Sequence, residues 1–351
     1  MNAPAVRTPR IAHLDLLRGV ATLGILLMNA LSFGLVEPAY FRLDAAGWGW
    51  PTDRIIGVAG EVFVDQKMMG LFSLLFGASL VLFVDRVGAR RRHPVLLSLW
   101  RNTLLLGIGL VHTWLWEGDI LTVYALCAPV VLGLRKLPTK ALYTIAGLCF
   151  AATIGAALLA QAEVNQAGAA SLGWYWIAED LPASDAVDLF VVFDAFARAV
   201  GLMLIGVVFQ RSGLLAGRRP TATYRRMAVV GLVLGLPLAI AGVAWQLTDA
   251  FSPRTALSSG ALNTVATVPM TIAFTGLLML WSLRPARGKH RRRGRGDPPR
   301  RPPGVGEPEH LVLRPRVVRP PATRLTRSTP ARLYQERSNS TISPAAGWCA
   351  T

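Results

Sequence analysis

The 351-residue chain is 52% hydrophobic and only 16% charged, with a formal net charge of +17 and a mean hydropathy of +0.42. A soluble globular domain carries about 25% charged residues, so this chain has too little charge to coat a water-facing surface. Its apolar residues fall in long blocks, and the expected fold is an all-α polytopic integral membrane protein with about eight transmembrane helices.

Read with a window of about 20 residues, the blocks cover residues 16–36, 68–84, 95–115, 120–134, 141–159, 190–209, 227–245 and 262–281. The first, HLDLLRGVATLGILLMNALSFGL from His13, is entered through a histidine, an aspartate and an arginine. No small-residue cleavage site follows it and further spans do, so it reads as an uncleaved first helix. The fourth block is short and needs Asp119 and the following basic turn to reach the interfaces. Trp100, Trp281, Trp114 and Trp116 lie near span ends, as an aromatic belt requires.

The connecting segments alternate in charge. Arg7 and Arg10 precede the first span, Arg86 and Arg90 to Arg92 follow the second, Arg135, Lys136 and Lys140 follow the fourth, and five arginines from Arg211 to Arg226 follow the sixth. The intervening loops are acidic, with Glu37, Asp44 and Asp53, then Glu117 and Asp119, then Glu163 through Asp188. A positive-inside bias places both termini in the cytoplasm. Trp174 and Trp176, in the long acidic loop before the sixth span, suit either a segment resting on lipid headgroups or a lid over an outward cavity.

Polar residues inside spans are costly and face a partner, a cavity or water. At the basic end are Asp15, Arg18 and Arg101. The three-residue spacing of Asp15 and Arg18 permits a same-face pair, expected to be buried. Two arginines against one aspartate suit a phosphate or carboxylate, and the same set equally serves as an interhelical clamp and topology anchor. At the acidic end are Asn29, Asp65, Lys67, His112, Glu117 and Asp119. A histidine near carboxylates acts as a general base when its tautomer is fixed; a structural histidine bonded to a helix carbonyl has the same signature. Cys127, Cys149 and Cys349 do not suggest a disulfide framework or a metal site. There is no phosphate-binding loop, dinucleotide fingerprint or zincin motif. Gly77, Gly107 and Gly109 read as small residues that permit close helix packing.

After Trp281 the text becomes rich in arginine and proline, beginning KHRRRGRGDPPRRPPG. The chain is therefore divided into a transmembrane helical domain, 1–284, and a tail, 285–351. Two readings of the tail stand side by side. One is a disordered basic segment loosely attracted to anionic lipid; the other is the product of a shifted reading frame in a GC-rich gene, in which case further spans would replace it. Much of the positive charge lies there, so it is no argument for a nucleic-acid partner.

Three stretches, RIAHLDLLRGVATLGILLMN, FSLLFGASLVLF and RNTLLLGIGLVHTWLWEGDILTVYAL, resemble the bacterial YeiB-like membrane proteins, the DUF418 family. The most specific feature is His112 followed by Gly118-Asp119-Ile120-Leu121, and the resemblance runs from Arg10 to about the eighth span. It implies a multi-pass protein of the bacterial inner membrane with distant similarity to transmembrane acyltransferases. The activity it suggests is transfer of an acyl group from a CoA-type co-substrate to an envelope glycan, lipid or small-molecule acceptor. In that scheme Arg18 and Arg101, with Asp15, hold donor phosphates; His112 deprotonates the acceptor, oriented by Asp119; Lys67 stabilises the oxyanion. Export of a small polar metabolite, and a non-catalytic membrane scaffold, remain the competing classes.

Overall fold

The computed structural model describes residues 12–47, 49–89, 92–116 and 120–284, and among these the regular secondary structure is all helical. The division at residue 285 and both readings of the tail therefore lie outside the described residues. In chain order the long elements are α1 (Ala12–Gly34), α2 (Pro51–Phe63), α3 (Lys67–Gly88), α4 (Pro94–Leu115), α5 (Leu121–Leu134), α6 (Thr139–Ala167), α7 (Asp185–Arg211), α8 (Thr221–Thr248) and α9 (Ala256–Ser282). Two short 3₁₀ turns, Glu37–Tyr40 and Ala169–Tyr175, connect α1 to α2 and α6 to α7.

All eight expected spans are helices, but the segment before the second is one too. Seven helical stretches are long and apolar enough to cross a membrane, one of them Pro51–Gly88, which is α2 and α3 taken together, while α5 is shorter at 14 residues. At about 1.5 Å per residue α5 extends roughly 21 Å, less than the ~30 Å hydrocarbon core. α2 escapes a hydropathy window because it is only 13 residues long and carries Asp53, Arg54 and Glu61. Local signals explain its start: Pro51 occupies the first turn, where its missing N–H costs nothing, and the Asp53 carboxylate accepts the Trp50 backbone N–H at 2.8 Å. Pro94 opens α4 in the same way.

α3 is the central helix, packing against α1, α4, α5, α7 and α9. Its buried side, Leu71, Leu74, Leu75 and Ala78, meets Leu202, Met203 and Val207 of α7. Gly77 and Gly206 set that approach: a Cβ at Gly77 would overlap the Met203 backbone, and one at Gly206 would overlap the Leu74 carbonyl oxygen. α1, α4 and α8 instead turn large apolar side chains outward, among them Leu23, Leu27, Ile108, Val111, Val233 and Leu234. Such a surface belongs in lipid rather than water. The molecule is a polytopic membrane protein.

Candidate functional site

Two cavities lie at opposite ends of the bundle. At the end where α1 begins and α3 finishes, a cavity of about 280 Å³ is lined by Leu14, Asp15, Arg18, Ser79, Phe83, Arg86 and Arg101. The three residues expected at this end thus share one cavity. Arg18 Nη2 donates to Ser79 Oγ at 2.5 Å, and the Arg101 guanidinium lies 4.3 Å from the centre of the Phe83 ring. Both contacts fix planar donors at the wall. Arg86, read from sequence only as a topology charge, is a third guanidinium here.

The buried ion pair expected of Asp15 and Arg18 is corrected. Their oxygen and nitrogen are 3.7 Å apart, and the side chains remain 55% and 41% exposed. These positions lie in the first turns of α1 and face the open cavity, so water screens the pair and its net worth is about 0–1 kcal/mol. Arg18 is therefore not consumed by Asp15.

At the other end lies a cavity of about 1420 Å³. α4 contributes Thr113, Trp114 and Leu115, Trp116 follows directly after it, α6 contributes Thr153 near its middle, and the 3₁₀ turn before α7 contributes Trp174 and Tyr175. The loop carrying the tryptophans is thus part of the cavity wall. It is pinned in place, since Trp176 Nε1 donates to the Phe251 carbonyl at 3.0 Å and Trp174 Nε1 donates to Asp188 Oδ1 at 3.0 Å. Burial pushes the phenols of Tyr40 and Tyr175 well above their ordinary range, with Asp65 adding to the effect at Tyr40 and Asp194 at Tyr175. Both stay protonated at neutral pH.

Beside this cavity a charged network is assembled from four helices. The helix is interrupted between α2 and α3 over residues 64–66, and Gln66 adopts a positive φ of 55°, a strained conformation for a residue other than glycine. Its side-chain oxygen holds it there, accepting Arg198 Nη1 at 2.7 Å and Thr267 Oγ1 at 3.4 Å. Lys67, fully buried, donates to the Glu61 carbonyl at 2.6 Å and to Asn263 Oδ1. The Asn263 amide in turn donates to Glu61 Oε1 at 2.7 Å and Asp65 Oδ2 at 3.2 Å, bridging two carboxylates. On α7, Arg198 donates to Asp194 one turn earlier. This arrangement holds opposite charges and amide dipoles close together in a medium of low dielectric, where neither could remain without the other.

Of the residues expected at this end, Lys67 and Asp65 belong to the network, and Asn29 lines the cavity. His112 adjoins the wall residue Thr113 and packs edge-on against Trp116, with ring centres 5.6 Å apart. The hydrogen-bond partners of the Lys67 ammonium come from α2 and α9. Asp119 and Glu117 lie outside the described residues. Sequence reasoning missed Glu61, Gln66, Asp194, Arg198 and Asn263. Asp194 and Arg198 had a readable signal, an aspartate and arginine four residues apart inside an apolar span.

Between the cavities, α3 and α5 interlock. Tyr124 is fully buried, its ring stacked between Phe72 and Phe76 at 5.5 and 5.4 Å and its hydroxyl 2.8 Å from Ser73 Oγ. Met69 lines the large cavity and Ser79 the small one, which puts their Cα positions about 15 Å apart along the helix. On α4, Arg101 and His112 are roughly 16 Å apart by the same measure.

Comparison with known proteins gives three relatives. The chain is 32% identical over 264 residues to the uncharacterized protein YeiB of Escherichia coli K12, covering 69% of this chain and 67% of that protein. It is 31% identical over 204 residues to an uncharacterized 39.9 kDa protein in the amylase 3′ region of Bacillus acidopullulyticus, covering 58% and 56% respectively. It is 35% identical over 144 residues to the uncharacterized protein YxaH of Bacillus subtilis 168, covering 40% and 36%. No family model matches, and no solved structure is significantly similar.

Proposed function

The chain belongs to the YeiB-like family of bacterial membrane proteins, and on that footing we propose that it is a transmembrane acyltransferase working between its two cavities. A CoA-type thioester enters from the basic, cytoplasmic end and rests its phosphates on Arg18, Arg86 and Arg101. The 280 Å³ cavity fits a diphosphate rather than a whole nucleotide, leaving the rest of the donor outside. The acceptor occupies the large cavity from the opposite face.

The observation that carries this reading is the short gap between the cavities. A full membrane crossing of ~30 Å would keep donor and acceptor apart, but the large cavity is deep enough to leave only about 15 Å along α3. A pantetheine arm of about twelve bonds extends roughly that far. Its thioester would then reach the level of His112, which takes the acceptor's proton, with Asp119 as orienting carboxylate. Lys67, through the polar network at the cavity, stabilises the charge that develops on the carbonyl oxygen. The arm must pass the Tyr124 partition or run beside it, so movement of that side chain is part of the proposal.

Purified protein in nanodiscs, given radiolabelled acetyl-CoA and extracted envelope material, should transfer label to the acceptor and release free thiol. Absence of transfer, together with saturable uptake of a solute into proteoliposomes, would overturn the enzyme reading in favour of transport. One observation favours that second class: the break between α2 and α3 places charged side chains at a discontinuous helix, as transporter binding sites do.

A further inference from the structure

The walls of the large cavity are unequal in charge. Glu37, Glu61, Asp65, Glu179, Asp180 and Asp194 line it, against one guanidinium among the described lining residues, that of Arg198. Lys67, behind the wall, offsets one more carboxylate through the Glu61 and Asn263 network. The walls are also aromatic: Tyr40, Phe41, Trp116, Trp174 and Tyr175 all contribute. Carboxylates provide a cation with direct counter-charge, and aromatic faces attract it through their quadrupoles.

A second observation points to a ligand. Asp194 and Arg198 are each only 8% exposed and both line the cavity, yet their mutual bond leaves Asp194 Oδ1 and Arg198 Nε without a hydrogen-bond partner among the described residues. Buried charged groups rarely leave such atoms unsatisfied, and each exception calls for an explanation. Oδ1 requires a donor. A ligand that supplies one and also carries positive charge satisfies the atom and reduces the charge excess of the walls. A neutral hydroxyl would satisfy the atom alone.

We infer that the large cavity selects an organic primary ammonium ion, anchored through Asp194, as its occupant. Taken as the acyl acceptor, which rests on the transfer reading above, this ligand makes the product an amide rather than an ester. The ammonium first loses one proton to His112. The freed nitrogen lone pair forms the C–N bond to the thioester carbonyl carbon, the C–S bond breaks, and the departing thiolate takes the second proton from nitrogen. One ammonium and one thioester give one amide, one thiol and one proton. The amide is neutral at that nitrogen, so acylation removes the charge that held the substrate and promotes product release from an acidic cavity.

The test is calorimetric binding to the full chain in nanodiscs of neutral phosphatidylcholine, with three ligands of matched length: putrescine, 1,4-butanediol and succinate. Putrescine should bind at least about 10-fold more tightly than butanediol, and succinate should not bind. Asp194→Asn should weaken putrescine by about 10- to 100-fold while leaving CoA affinity unchanged. Should that variant unfold, Asp180→Asn combined with Glu179→Gln gives a second reading of the same charge, with putrescine affinity expected to fall and butanediol to stay constant. Equal binding of putrescine and butanediol, or undiminished putrescine binding in a folded Asp194→Asn protein, overturns cation selection. Putrescine binding with no CoA affinity and no amide formed from any amine leaves cation selection standing and defeats the transfer reading.

Discussion

At the scale of single residues, Arg18 and Arg198 show how burial alters the meaning of a charge. Arg18 sits beside Asp15 at 3.7 Å but remains 41% exposed and bonds Ser79 across the cavity. Its guanidinium is available to a ligand, and Arg18→Lys separates charge from geometry because lysine lacks the rigid fork. CoA affinity should fall about 10-fold or more with the melting temperature in detergent within about 2 °C of the parent. Unchanged affinity in the folded variant would reduce Arg18 to an anchor. Arg198 is the opposite case. Replacing it with methionine leaves Asp194 charged, buried and without its partner, a loss of about 3–5 kcal/mol. Arg198→Met should lower melting sharply or abolish folded yield, and adding Asp194→Asn should recover a large part of the loss. A single variant as stable as the double would show that the pair carries no such cost.

At the scale of elements, the α3–α7 contact is the part of the fold least tolerant of added volume. Gly206 abuts the Leu74 carbonyl, so even Gly206→Ala forces the helices apart and should cost about 1–3 kcal/mol. Gly107, read like Gly77 and Gly109 as a small residue for close packing, has nothing among the described residues within 4 Å of where its Cβ would stand. Gly107→Ala should therefore be neutral or stabilise by up to about 1 kcal/mol through helix propensity. Thermal unfolding of the two variants checks both; equal effects would contradict the helix packing described. The three glycines look alike in sequence because a glycine's neighbours across a helix interface are set by another helix's rotation, which the local pattern does not contain.

At the scale of the whole molecule, the proposed transfer requires that the arginine cavity and the acidic cavity face opposite sides of the membrane. Fluorescent or enzymatic reporters fused after Arg92 should read cytoplasmic, and those fused after Asp180 should read external, in line with the charge alternation of the loops. Reversed signals would place the arginines outside, away from the cytoplasmic supply of thioester, and the donor assignment would fall with the topology. Cytoplasmic termini would put the strained break at Gln66 and the network around Asn263 toward the outer half of the bundle.

Span positions and the alternation of loop charge were legible in sequence because hydropathy over about 20 residues is a local sum, and loop charge needs no knowledge of packing. The grouping of Asp15, Arg18 and Arg101 was legible too, since all three sit at the same end of spans whose directions follow from their order. What the chain's text did not contain was α2, too short and too polar for a hydropathy window, or the company of Lys67. That lysine's partners, Glu61 and Asn263, are brought to it by a helix break and by a helix almost two hundred residues further along. Only tertiary packing decided that Asp194 and Arg198 would border a cavity with one atom each unsatisfied among the described residues, and that Asp15 would stay open to solvent. Desolvation is a property of the surrounding volume, and that volume is enclosed by segments distant in sequence.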